Sequence, residues 1–239
     1  MDCGSGVRRL GNVLAREGVR RLSILFTHSH WDHILGFPFF KPLYDSAVAI
    51  DFFGCPFAQR SVRSVIKKVM QAPQFPINLG ALKAQLRFHA FCLEAFRIGS
   101  LRIEPIVLSH PNQGLGFKFE EAGKVFVFLT DNELAYRHPG GRRFADYAAF
   151  CAGADILIHD AEFTDADYRR TRTWGHSTYR QALELALKAG VKRFGLCHHN
   201  QDRPDAEVDA MVRDCRRLAA RKGRALDCFG VTQDTVLDL

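Results

Sequence analysis

Apolar positions recur along this chain with two alternating periods. At residues 7–17, Val7, Leu10, Val13 and Leu14 share one side of an amphipathic helix pattern. Residues 22–27 form an apolar run that reads as a buried strand. Residues 57–71 carry Val62, Val65, Ile66 and Val69 at helical spacing, within a stretch 41–100 of ordinary helix and strand with Phe- and Pro-containing loops. Residues 101–108 alternate as a strand, and segments 116–120 and 124–129 flank Glu121-Ala122-Gly123, a hairpin signal. Residues 154–159 and 193–197 read as short strands, with a helix over 178–189, closed by Gly190, between them. A second long helix is expected over 204–222, with Asp202 as its cap, Pro204 near its start and Gly223 just past its end. Residues 225–229 and 232–238 are expected as closing strands.

No internal repeat, low-complexity tract or linker interrupts this alternation, so a single α/β domain over residues 1–239 is expected. The length is enough for one large core. Hydrophobic residues at 47% and charged residues at 25% are ordinary for a soluble globular protein, and no stretch has the length of a bilayer span. The N-terminal Met1-Asp2-Cys3-Gly4-Ser5-Gly6 has no apolar core of the secretory kind. Seven scattered cysteines, at 3, 55, 92, 151, 197, 215 and 228, include no CxxC pair, which favours reduced thiols and a cytoplasmic location.

The net charge of +7 favours an anionic substrate such as a phosphate ester. Basic pairs such as Arg8-Arg9, Arg142-Arg143 and Arg169-Arg170 read as solvated helix faces. No Arg/Lys run interleaved with aromatics marks a nucleic-acid groove, so nucleic acid is not the favoured partner. A basic surface and an open sheet edge leave room for a homodimer.

The chemistry is concentrated in Thr27-His28-Ser29-His30-Trp31-Asp32-His33, directly after the first strand. Imidazole and carboxylate from one loop suit zinc, manganese or iron. His28 and His30, two apart in extended chain, point the same way, and Asp32 and His33 can reach a second position. Further candidates also follow strands: His110, Asp131, Asp160 and His198. Rigid strands hold such side chains where loops make them accessible. Spacing does not choose between His198 and His199; His198 is preferred because it comes first after the strand. Two metal ions about 3.5–4 Å apart need about seven ligands including a bridging carboxylate, and this set supplies them.

The ordered elements Asp2-x-Gly-x-Gly6, His-x-His-x-Asp-His, His110, Thr130-Asp131 after a hairpin, and His198 resemble the metallo-β-lactamase fold superfamily over nearly the whole chain. The resemblance implies a four-layer αββα sandwich and two divalent metal ions, zinc first, with manganese or iron as alternatives. His28, His30 and His110 would hold one metal, Asp32, His33 and His198 the other, and Asp131 would bridge. The superfamily usually has strands before the Asp-x-Gly-x-Gly element. Here the chain begins at that element, which leaves open a truncated start or a shortened first sheet. Leu157-Ile158-His159-Asp160-Ala161-Glu162 followed by Gly175-His176-Ser177-Thr178 is similar to the ribonuclease Z-like branch. That likeness implies that His176 contacts the scissile phosphate or protonates the leaving oxygen, oriented by Asp160. Where that branch typically has Glu-Ala-Thr this chain has Asp160-Ala161-Glu162, an acid one methylene shorter. Ser177-Thr178 also reads as a helix cap.

The function expected is therefore a dinuclear metal-dependent phosphodiesterase using metal-activated hydroxide. A small or cyclic phosphodiester is favoured over tRNA, because the chain has no Gly/Pro-rich protruding arm. The alternatives are a thioester or lactone hydrolase of the same fold, or a non-catalytic metal-binding regulatory module. A redox di-iron site fits less well, since that branch typically has Glu where His30 stands.

Overall fold

The computed structural model describes residues 1–55, 61–91 and 93–239, and the chain divides into two compact units, Met1–Cys92 and Leu93–Leu239.

The first unit is built on a three-stranded parallel sheet in the order β1 (Arg21–Leu25), β2 (Ala49–Gly54), β3 (Gln85–Ala90). Helices α1 (Val7–Arg16) and α3 (Val62–Val69) supply Val7, Ile66 and Val69 to a core shared with Ile24, Ile50 and Phe52. Helix α1 matches the expected span, and Val7 and Leu14 of its expected apolar side meet the core, but Leu10 does not. Leu10 is exposed, and the buried positions are Val7 and Gly11. Gly11 is the residue that lets the helix approach Phe40 and Pro42. Helix α3 begins at Val62; of the expected helix over 57–71, residues 57–60 lie outside the described residues. Ser61 caps α3 by accepting from Ser64 N–H. Phe37, Phe40 and Phe52 are fully buried, so these phenylalanines form core.

The second unit is a seven-stranded sheet in the order β10-β9-β8-β7-β6-β5-β4. Strands β4 (Phe96–Ile98), β5 (Leu101–Val107), β6 (Leu115–Glu121) and β7 (Lys124–Leu129) pair antiparallel. Strands β8 (Ile156–Asp160), β9 (Arg193–Cys197) and β10 (Asp227–Gly230) then add in parallel to β7. The β6–β7 hairpin closes through Ala122 and Gly123, both at positive φ, as a two-residue primed turn requires. Period-two alternation divides the parallel strands between two apolar faces. Val127, Leu129, Leu157, Phe194 and Leu196 pack with Tyr147 of α4 (Phe144–Phe150), Ala182, Leu183 and Ala186 of α6 (Tyr179–Ala189), and Met211 and Cys215 of α7 (Asp205–Arg221). Phe126, Phe128, Ile156, Ile158 and Cys197 gather on the opposite face. Strand β8 is buried at every residue, as strands covered on both faces are.

Helix α6 starts with a capping box in which Thr178 accepts from Gln181 N–H and the Gln181 side chain accepts from Thr178 N–H. Two sequence expectations are corrected. The N-cap of α7 is Pro204, not Asp202, whose N–H is taken by Asn200 Oδ1. Residues 232–238 form no strand; Thr232 N–H donates to Thr235 Oγ1 in a local turn that replaces ladder pairing. Three short helices were not anticipated, α2 (Trp31–Ile34), α4 and α5 (Asp165–Thr171). Among the described residues Cys3, Cys55, Cys151, Cys197, Cys215 and Cys228 are free thiols, and no helix is long and apolar enough to cross a membrane.

Candidate active site

In the first unit the chain leaves β1 at Leu25 and places four candidate donors within six residues. His28 and His33 are buried, His30 is half-buried and Asp32 is exposed. The His28 ring centroid lies 4.5 Å from that of His30 and 4.0 Å from that of His33. Helix α2 turns Asp32 and His33 onto one another, with Asp32 Oδ2 3.0 Å from His33 Nε2. The opposite ring nitrogen, His33 Nδ1, lies 2.9 Å from Asp2 Oδ2. Asp2 is itself held by Thr27, whose N–H donates to Oδ1 and whose hydroxyl donates to Oδ2, both at 2.7 Å. A carboxylate accepting from Nδ1–H keeps the proton on that nitrogen and leaves the Nε2 lone pair for a cation. Asp2 thus has a role that motif reading alone did not assign. Its backbone is left-handed, at φ 52°. The glycines follow from close approach: a Cβ on Gly36 would fall 2.0 Å from Gly4 O, where the N-terminal segment crosses the donor loop.

In the second unit the site residues sit at the carboxyl ends of neighbouring parallel strands. The pairings Leu129↔His159 and Asp160↔Cys197 bring the ends of β7, β8 and β9 level, so Asp131, Asp160 and His198 emerge along one edge. Asp131 Oδ2 lies 3.8 Å from His110 Nε2, and Asp131 Oδ1 lies 3.4 Å from His198 Nε2. His110 Nδ1 donates to the Gly175 carbonyl at 2.9 Å, which again leaves Nε2 as the lone-pair nitrogen. Asp131 and His198 both hold left-handed backbone, at φ 48° and 55°. Non-glycine residues hold that conformation at a cost of order 1–3 kcal/mol, and it persists where surrounding structure over-determines it.

His176 Nδ1 lies 2.6 Å from Asp160 Oδ2, and Asp160 Oδ1 accepts from the N–H groups of Ser177 and Glu162. The shorter acid therefore reaches. Burial alone would push the His176 imidazole down, but the charge and hydrogen bond of Asp160 outweigh it and hold the ring above its ordinary value. The His176 and His198 rings stack with centroids 4.7 Å apart. Glu162, which sequence reasoning passed over, lies 3.2 Å from His198 Nδ1 and 3.3 Å from His176 Nδ1. The signal for it was its position two residues past the end of a buried strand. Asp131, Asp160, His176 and His198 each offer an oxygen or nitrogen within 4.8 Å of the others. Of the adjacent histidines, His198 is the one brought to Asp131, and burial pushes the His199 imidazole down. His159 is fully buried between the Asp160 carbonyl and the Asn132 amide, a structural role.

The family model described as "Beta-lactamase superfamily domain" matches residues 1–199. The chain belongs to the β-lactamase superfamily. Ribonuclease Z from Gemmatimonas aurantiaca is 26% identical over 95% of this chain and 85% of its own length, and ribonuclease Z from Picrophilus torridus is 25% identical over 83% and 75%. Among solved structures, the metallo-β-lactamase fold protein YhfI from Bacillus subtilis superposes with a TM-score of 0.70 at 16% identity, covering 99% of this chain and 85% of its own. Human tRNase Z, short form, gives a TM-score of 0.61 at 22% identity over 84% and 81%.

As a superfamily member the chain has the metallo-β-lactamase fold and is a metal-dependent hydrolase. The donor chemistry fits a divalent cation. Where the Nδ1 protons of His33 and His110 are engaged by Asp2 and Gly175, the Nε2 lone pairs face carboxylate oxygens, an arrangement that a cation between them stabilises. Imidazole and carboxylate are zinc, manganese and iron ligands. Cys197 points to the apolar face with Ile156 and Ile158, and burial pushes its thiol well above the usual range, which suits packing rather than ligation.

Proposed function

We propose that this protein is a dinuclear metal-dependent phosphodiesterase acting on a small or cyclic phosphodiester. By the superfamily pattern His28, His30 and His110 are assigned to one metal, Asp32, His33 and His198 to the other, and Asp131 to the bridge. Zinc is the metal favoured by the donor set. When bound, the metal pair supplies hydroxide at neutral pH and neutralises charge on the phosphoryl oxygens.

The observation that carries this reading is the Asp160–His176 pair at 2.6 Å, in one cluster with Asp131 and His198. Asp160 accepts a hydrogen bond from His176 Nδ1–H and raises the ring, so His176 holds a proton in the site. Hydroxide attack forms a P–O bond, and the ester P–O bond breaks towards the leaving oxygen. His176 passes its proton to that alkoxide, giving an alcohol and a phosphomonoester. A thioester releases a thiolate, a far weaker base that needs no such acid, so the pair favours an oxygen leaving group. The net charge of +7 and the ribonuclease Z relatives support an anionic phosphodiester, and the sequence carries no Gly/Pro-rich arm for tRNA.

The test is turnover by metal-reconstituted protein of bis-p-nitrophenyl phosphate, cyclic nucleotides, a dinucleotide and pre-tRNA, beside an acyl thioester and a lactone. Phosphodiester turnover that disappears in Asp131→Ala supports the proposal. Metal-loaded protein that hydrolyses only the thioester or lactone, or nothing, overturns it.

A further inference from the structure

Asp131 is followed by two residues whose side chains are wholly buried, Asn132 and Glu133. Asn132 ties loops together: its side chain accepts from Ser109 N–H and meets His159, and its carbonyl accepts from Ser177 Oγ. Glu133 concentrates more donors. Its Oε1 accepts from Tyr168 OH at 2.6 Å and Thr173 N–H at 2.8 Å. Its Oε2 accepts from Gly175 N–H at 2.9 Å and lies 2.8 Å from His138 Nε2.

The turn that Glu133 grips is a strained one. Thr173 and Gly175 stand at φ 77° and 97°. At Thr173 this region costs of order 1–3 kcal/mol, so the turn needs an anchor. Both products of the turn enter the site. The Gly175 carbonyl accepts from His110 Nδ1, and the next residue is His176. The backbone at 175 also packs directly on the His110 ring, since a Cβ there would fall 2.1 Å from His110 Nδ1. The Glu133 N–H donates to the Ser109 carbonyl, which holds the residue before His110. Glu133 touches no reacting atom.

We propose that Glu133 is a positioning residue: by clamping the 173–175 turn it fixes the His110 ring for metal and His176 for the leaving oxygen. The catalytic half rests on the phosphodiesterase reading above; the clamp itself does not. A buried carboxyl with four donors is a weak source of net stability but a strong source of specified geometry, because each unsatisfied alternative is expensive.

The test compares Glu133→Gln with Tyr168→Phe in the full-length protein. Gln keeps the shape but turns an NH2 group towards a backbone N–H of the turn. Glu133→Gln is expected to keep the parental circular dichroism and to lower kcat about 100-fold with KM within about threefold, the cost of a misplacement near 1 Å. Its zinc affinity should fall about 10–100-fold, as for other outer partners of metal-binding imidazoles. Exchange of the Thr173 and Gly175 amides should quicken. Tyr168→Phe removes one bond outside the turn and should stay within about threefold in kcat and zinc affinity. A folded Glu133→Gln protein with parental zinc affinity and amide exchange overturns the proposal, and so does a Tyr168→Phe loss as large as that of Glu133→Gln. Should Glu133→Gln fail to fold, the parent protein decides: Thr173 and Gly175 amides as slow as those of β8 support the clamp, and amides that exchange at the rate of an unstructured peptide overturn it. If the parent cleaves no phosphodiester, the reaction proposed above fails, and zinc affinity with amide exchange still decides on Glu133.

Discussion

Asp160 Oδ2 and His176 Nδ1 meet at 2.6 Å although 16 residues separate them, because β8 ends at Asp160 just where the backbone of Ser177, next to His176, donates back to Asp160 Oδ1. An acid so placed matters in proportion to the basicity of the leaving group. His176→Ala is expected to lower kcat about 100-fold or more on a cyclic nucleotide, whose leaving alkoxide needs a proton. On bis-p-nitrophenyl phosphate, whose p-nitrophenolate leaves unassisted, the loss should be below about tenfold. Steady-state kinetics on the two substrates checks this; equal losses on both would remove His176 from the acid role.

The pH profile follows from the same pair. Asp160 raises His176 above its unfolded value near 6.5. The interaction is therefore fully present below about pH 6.5 and is lost as pH rises through the folded value. An acid catalyst gives the same direction in rate, an alkaline limb along which kcat falls. Asp160→Asn removes the raising charge, so that limb should move to lower pH in the pH–rate profile. An unmoved limb would assign it to another group.

Asp2 orients His33 through Nδ1 at 2.9 Å. Asp2→Asn offers an amide in place of the accepting carboxylate and releases the tautomer that turns Nε2 outward. Zinc affinity should fall about 10–100-fold with little change in fold. Competition against a chromogenic chelator measures it, and parental affinity would reduce Asp2 to a cap for Thr27.

Much of this was legible in the chain. His28, His30, Asp32 and His33 cluster because they share one short segment after a strand, and Asp131, Asp160 and His198 fall level because each follows a strand and those strands are parallel neighbours. Residues that act through turns were not legible. Glu133 and the Gly175 carbonyl gain their positions from loop backbone that no periodicity encodes. Leu10 failed because the pattern names an apolar side without naming what packs on it; Gly11 makes the close contact. Residues 232–238 failed because alternation alone supplies no neighbouring strand.

Away from the site, Asp214 joins α6 to α7. Burial alone would raise its carboxyl, but hydrogen bonds from Arg217, Tyr179 and Arg180 outweigh it and hold the group at about 2. A depressed folded value stabilises above the unfolded value near 3.9 and is lost as pH falls towards 2. The arginines are about half exposed, at 47% and 54%, so screening reduces the effect to about 1–2 kcal/mol. Asp214→Asn should lose that amount in urea unfolding at pH 7, and the difference from the parent should shrink between about pH 4 and 2. A constant difference across that window would assign the loss to packing.

Metal removal tests the donor set as a whole. His33 Nε2 faces Asp32 Oδ2 at 3.0 Å, and His110 Nε2 faces Asp131 Oδ2 at 3.8 Å. With the Nδ1 protons engaged elsewhere, these are lone pairs directed at carboxylate oxygens, and a cation converts their repulsion into attraction. A metal that binds only the folded chain adds about 2.7 kcal/mol at 100 times its Kd. For a chain of this length each kcal/mol moves Tm by about 2–4 °C, so chelation should lower Tm by about 5–10 °C and added zinc should restore it. Asp131→Asn weakens the acceptor that lies near both His110 and His198, so its Tm should respond to chelator and zinc far less than the parent's. A parental Tm indifferent to both reagents would mean that the donors hold no metal, and the hydrolase chemistry built on them would fall with it.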